Sequence, residues 1–163
     1  MTADTNSGYG CGCLALLGII GLLGLYSLAA NRLSCAVGAK QSEAKQYVGS
    51  MNRAQQAYFL EKGNFTDNIP ELRLGIRTET ENYIYSIYTT PLGVVNYSIS
   101  RKFDLKSYVG GVFSFSGQVE PWNDESGLSV ILCEAKSPGT HRPPAPILED
   151  GILQCAPGTE SLD

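Results

Sequence analysis

Five cysteines and one histidine are the residues of this 163-residue chain best suited to chemistry. Cys11 and Cys13, one residue apart, could hold a soft metal or cross-link two chains, with Cys35 as a further thiolate. One chain does not supply a complete tetrahedral set at those positions, so no metal is expected, and small residues at a membrane boundary are the plainer reading. Cys133 and Cys155 bracket 21 residues rich in Pro and Gly, "EAKSPGTHRPPAPILEDGILQ". Either they are two unpaired, half-buried thiols, or a disulfide tethers that loop and contributes on the order of 3 kcal/mol. His141 lies in the same loop, and nothing in its spacing supplies a nucleophile or carboxylate partner, so it reads as loop surface. Carboxylates occur singly or in short clusters such as "NDES", without calcium-loop spacing. There is no glycine-rich phosphate loop before a helix, and Gly110-Gly111 sits in a strand pattern where a bulge is expected. No enzyme activity, cofactor or small-molecule ligand is indicated, and a net charge of −4 does not suggest nucleic acid as a partner.

Residues 14–30 form a 17-residue run without a charge, about 25 Å long as a helix. Arg32 is the sole charge between Asp4 and Lys40, and its stem can snorkel, which extends the expected membrane helix to residues 14–37. A cleaved signal peptide fits less well. No Lys or Arg precedes Leu14, and the small-x-small site Val37-Gly38-Ala39 lies beyond the apolar run. A tail of residues 1–13, a retained single-pass span and a head of residues 38–163 are therefore expected, with the bilayer itself as a partner.

Within the head, residues 38–63 read as an amphipathic helix. Ala44, Tyr47, Met51, Ala54 and Tyr58 recur at helical spacing as the face that packs on a sheet, widened by Val48 and Phe59. Gln41, Lys45, Gln46, Asn52, Arg53, Gln56 and Glu61 mark the opposite, solvated face. Gly63 supplies the stop. A connection over residues 64–82 contains a short helical turn near Pro70, with Asn68 as N-cap. Then the periodicity changes. Residues 83–89, 94–100, 108–116 and 128–135 are short, β-branched and aromatic, and separated by turn signals. They predict a four-stranded antiparallel meander over residues 83–136, with one face free for the helix, and a C-terminal loop over residues 137–163. The fold class is α+β. The aromatics Tyr83, Tyr85, Phe103, Tyr108, Phe113 and Phe115 are expected mostly in the sheet core. Trp122, in the loop between the third and fourth strands, is the candidate partner contact.

The words "AKQSEAKQYVGSMNRAQQAYFLEKGNF", "LGIRTETENYIYSI", "LKSYVGGVF" and "LCEAKSPGT" resemble the cyanobacterial type IV pilin-like proteins of the G/H type. That resemblance implies a long N-terminal helix, half in membrane and half packed on an antiparallel sheet, and a disulfide-closed C-terminal loop, here Cys133–Cys155. The N-terminus departs from ordinary prepilins. No Phe follows Gly10 or Gly12, and no acidic residue lies between Asp4 and Glu43, so leader processing and a major-subunit role are not expected.

Gly18, Gly21, Gly24, Ser27 and Ala30 recur every three residues and could let membrane helices approach closely. Orientation is contested between two signals. Arg32, Lys40 and Lys45 follow the span, which by the positive-inside rule leaves the head cytosolic. The expected disulfide and the resemblance place it in periplasm, cell surface or thylakoid lumen, and these are preferred. The expected role is association: a minor pilin or pilus-assembly component, or an accessory subunit of another membrane complex.

Overall fold

The computed structural model describes residues 22–114, 127–149 and 152–162, with side chains from residue 36 onward. Two compact units divide the chain, Met1–Gly38 and Ala39–Asp163. In the first, the described residues are helical, and residues 14–21 of the expected span lie outside the described residues. Among the described residues no helix is long and apolar enough to cross a membrane.

Helix α1 spans Leu22–Lys62. No proline interrupts it, and it stops where Gly63 turns left-handed (φ 74°) and donates its N–H to Phe59 O at 2.7 Å. A 3₁₀ turn follows at Ile69–Leu72, burying Ile69 and Leu72. Asn68 occupies the N-cap position without a side-chain cap, and its amide nitrogen donates to the Glu71 carboxylate at 3.3 Å.

Among the described residues seven strands follow: β1 (Tyr83–Thr90), β2 (Gly93–Ser100), β3 (Tyr108–Ser114), β4 (Leu128–Ala135), β5 (Ile147–Glu149), β6 (Ile152–Gln154) and β7 (Thr159–Ser161). The main sheet has five strands in the order β1-β2-β3-β4-β7, every pair antiparallel, and β5-β6 form a separate hairpin. The expected fourth-strand edge is thus covered. After Cys155 the chain returns, and Thr159, Glu160 and Ser161 pair with Ala135, Glu134 and Cys133. What reads as a C-terminal loop holds a hairpin and a strand.

Register assigns the faces, since directly paired residues project to the same side. Val94, Asn96 and Ser98 share a face with Val112, Gly110 and Tyr108, and this face meets α1. Val95 and Tyr97 share the other with Gly111 and Val109, and Ile131 and Cys133 continue it. Here the core cluster Val95, Tyr97, Val109, Ile131 and Cys133 is packed by Leu153 and Cys155. Both faces of β2 and β3 are therefore buried, which is why β2 is buried at successive positions, polar Asn96 and Ser98 included, rather than at alternate ones.

Gly110-Gly111 makes no bulge, for the ladder runs unbroken through both residues on each side. Gly110 instead admits the helix: a Cβ there would lie 2.5 Å from the Asn52 amide oxygen and 2.7 Å from Val48 Cγ1. On the opposite face Gly111 is roofed by the Phe113 ring, 2.5 Å from where its Cβ would stand.

Candidate interaction site

The helix meets the sheet along a seam turned away from the predicted stripe. Ala44, Val48, Met51, Asn52 and Gln55 are buried, at spacings of four, three, one and three residues. Ala44 and Met51 of the expected stripe belong to it, whereas Tyr47, Ala54 and Tyr58 are only half-buried. Asn52, expected in solvent, is 2 % exposed. Its amide donates to Ile131 O at 3.0 Å and accepts from Asn96 Nδ2 at 2.9 Å. The correction has a physical cause. Burying an amide is costly alone but not when the sheet offers a backbone acceptor and a matching amide, and an apolar-periodicity reading cannot see that partner. Among the described residues Asn96 Oδ1 and Ser98 Oγ in this seam have no hydrogen-bond partner.

Polar clamps continue at both ends of the seam. Gln55 donates to Thr66 O at 2.7 Å and accepts from Thr66 N at 3.2 Å, fixing the chain as it leaves the helix. Hydrogen bonds from Thr66, then Tyr58 and Asn68, hold the Glu71 carboxyl below its ordinary pKa. At the other end Gln41 accepts from Lys106 N at 3.0 Å, and Glu43 accepts from Tyr85 OH at 3.3 Å. Lys106 Nζ bridges Glu134 at 2.5 Å and Glu160 at 3.3 Å, and the Glu134 hydrogen bond keeps the ammonium above its ordinary pKa against partial desolvation. Burial, then the nearby charge of Glu43, pushes the Tyr83 and Tyr85 hydroxyls well above their usual range. Burial and the Glu134 hydrogen bond do the same for Tyr108.

The second face is stapled. Cys133 and Cys155 form a disulfide with a Cα–Cα distance of 5.8 Å, binding the C-terminal segment to β4. Arg142 lays its guanidinium over the Tyr97 ring, 3.9 Å from the centroid. His141 is exposed beside it.

One end of the head carries a group of exposed apolar residues. The β1–β2 turn, with Pro91 and Leu92, separates two clefts. An apolar cleft of about 230 Å³ is lined by Pro91, Leu92, Phe113, Pro146, Leu148 and Leu153. A second, of about 370 Å³, lies against Phe59, Asn64, Phe65 and Ser114. Leu92, Leu148, Ile147 and Ile152 are all exposed. Apolar side chains contiguous around a cleft are a candidate contact surface. Sequence reading missed it because Leu92 looks like a turn residue and Leu148 and Leu153 like loop. The signal was available in "ILEDGILQ", two apolar runs separated by Asp-Gly, which is a strong hairpin cue.

Trp122, Phe115, Cys11, Cys13, Gly18 and Gly21 lie outside the described residues. Gly24, Ser27, Ala30 and Cys35 fall on α1. Tyr83, Tyr85 and Tyr108 are buried in the helix face, but Phe103, expected in the core, is 85 % exposed.

A helix laid on an antiparallel sheet, with a disulfide closing the C-terminal segment over the far face, defines an α+β head. The chain belongs to the family of type IV pilin-like G and H proteins, whose pattern it matches over residues 41–156. No curated protein and no solved structure matches it.

Proposed function

We propose that this is a membrane-anchored pilin-like structural protein, a minor pilin or pilus-assembly component that acts by protein–protein association. Residues 14–37 hold it in the bilayer by their apolar run, the Gly18–Ala30 stripe of small residues lets other membrane helices approach closely, and the head stands in an oxidising compartment. The observation that carries this reading is family membership over residues 41–156, on a head whose exposed apolar end at Leu92, Leu148 and Ile152 suits it for a partner. The disulfide supports the oxidising side of the membrane. The resemblance to cyanobacterial members extends the reading to thylakoid lumen as one such compartment.

A second reading is favoured by one sequence observation. No carboxylate lies between Asp4 and Glu43, so the buried acidic group of ordinary filament subunits is missing. On that reading the head is an accessory subunit of another membrane complex. Fractionation decides between them. Recovery with sheared filaments supports a pilin, and recovery with detergent-solubilised complexes supports the accessory subunit. In either fraction Leu92→Asp is expected to reduce recovery about tenfold, as loss of one buried apolar anchor would. Undiminished recovery of that variant excludes the Leu92 end as the contact.

A further inference from the structure

Phe103 stands at the tip of the β2–β3 turn, and the turn is built to hold it out. Ser100 Oγ donates to Lys102 O at 2.7 Å and accepts from Lys102 N at 3.0 Å. Ser100 N donates to Ser107 Oγ at 2.9 Å, and Arg101 N donates to Asn82 O at 2.8 Å. Leu105, two residues on, is fully buried while Phe103 is 85 % exposed. An aromatic projected from a turn tied at both ends has little freedom left to lose on binding.

The place of this turn suggests what it meets. Lys106 N donates to Gln41 Oε1 at 3.0 Å, so the base of the turn rests on the first residues of the unit that begins at Ala39. Whatever course the preceding segment takes, it joins the head within a few residues of that contact, and it contains the charge-free run of residues 14–30.

We propose that the β2–β3 turn is a second bilayer contact, with Phe103 inserted at the boundary between headgroups and acyl chains of the membrane that holds the anchor. This rests on the anchored reading above. The charges of the turn decide the kind of surface. Arg101 is paired with Glu79 at 2.8 Å, Lys102 lies 3.9 Å from Glu81, and Asp104 adjoins Phe103. The turn thus has no uncompensated positive charge with which to recruit anionic lipid. Insertion is by apolar burial into a neutral or zwitterionic surface, and Asp104 confines it to headgroup depth.

The test uses the full chain reconstituted in phosphatidylcholine vesicles, as wild type, Phe103→Trp and Leu60→Trp. Leu60 is 65 % exposed near the far end of the head helix, so neither substitution disturbs a core. Flotation is measured first, then the emission of each variant after subtracting wild type. The added Trp at 103 is expected to be quenched several-fold more strongly by brominated acyl chains than the one at 60, which stays open to acrylamide. Vesicles that float but show equal acrylamide access at both positions overturn the turn's membrane contact and leave the anchor standing. A protected position 103 whose protection disappears on dilution with lipid identifies a contact with another chain and also overturns it. Failure of the wild type to float withdraws the anchor and the turn contact together.

Discussion

On one face of the sheet helix α1 meets Asn96 through Asn52 and the Tyr85 hydroxyl through Glu43, beside the buried Tyr83 and Tyr108. On the other, a proline-rich segment with a short hairpin meets Val95, Val109 and Ile131. The helix brings its own backbone hydrogen bonds, so its contact with the sheet can include amides and phenols that fix where it lies. The C-terminal segment has only a short hairpin and one short strand of regular structure and meets the core cluster through Leu153 and Cys155, contacts that specify position poorly. It is held by a covalent bond, by Arg142 on Tyr97 and by the return of β7 to β4. Directional bonds set register on one side, and tethers restrict an irregular chain on the other.

Alkali should attack the helix face first, and with the largest effect. The three buried tyrosines have folded-state pKa values raised above the unfolded value near 10. A raised pKa means that the folded state keeps the proton, so this stabilisation is complete below pH 10 and is lost as pH rises above it. Each contributes a slope of about 1.4 kcal/mol per pH unit, so the three together remove about 4 kcal/mol by pH 11 relative to neutral. Urea denaturation of the oxidised protein from pH 8 to pH 11, followed by circular dichroism, checks this. A midpoint that does not move across that range would show that the tyrosines are not held neutral in the folded state.

Reduction is the complementary attack on the second face. Opening Cys133–Cys155, or replacing both with serine, is expected to cost about 3 kcal/mol through the freed loop of the unfolded chain. Hydrogen exchange should rise first in β5, β6 and β7 and leave the Asn52 seam protected. If the loss of protection spreads equally to Val48 and Asn52, the two faces are one cooperative unit and are not held separately.

What the sequence made legible follows the same division. Strands β1 to β4 could be read because they are dense in β-branched and aromatic residues and bounded by turn residues, a local signal. The helix could be read, but its buried side could not. Asn52 and Gln55 are interior because of partners 79 and 11 residues away, and polarity alone places an amide in solvent. Strand β7 is three polar residues that mean nothing until Cys155 has brought them beside β4. Phe103 is the reverse case, an apolar residue whose exposure comes from the hydrogen bonds of its turn. The candidate association surface at Leu92 was hidden for a related reason, since it is assembled from a turn, a strand end and a hairpin distant in sequence.

The smallest test is a pair of single truncations, one for each face. Asn52→Ala leaves the Ile131 carbonyl and the Asn96 amide without their buried partner, and should cost about 1–3 kcal/mol. Arg142→Ala removes a guanidinium from the Tyr97 ring at a site where the arginine is itself exposed, and should cost about 0.5–1 kcal/mol. The informative quantity is how each depends on the disulfide. With the bridge closed, the segment around Arg142 is already confined, so the arginine restrains little further. With the bridge reduced, the arginine becomes one of the remaining tethers, and Arg142→Ala should cost measurably more than in the oxidised protein. Asn52→Ala, acting on the other face, should cost the same in both states. A double-mutant cycle of each truncation against the double serine variant measures this directly. Coupling at Arg142 with none at Asn52 would mean that tethers substitute for one another where structure is irregular, while the helix register is specified independently of them.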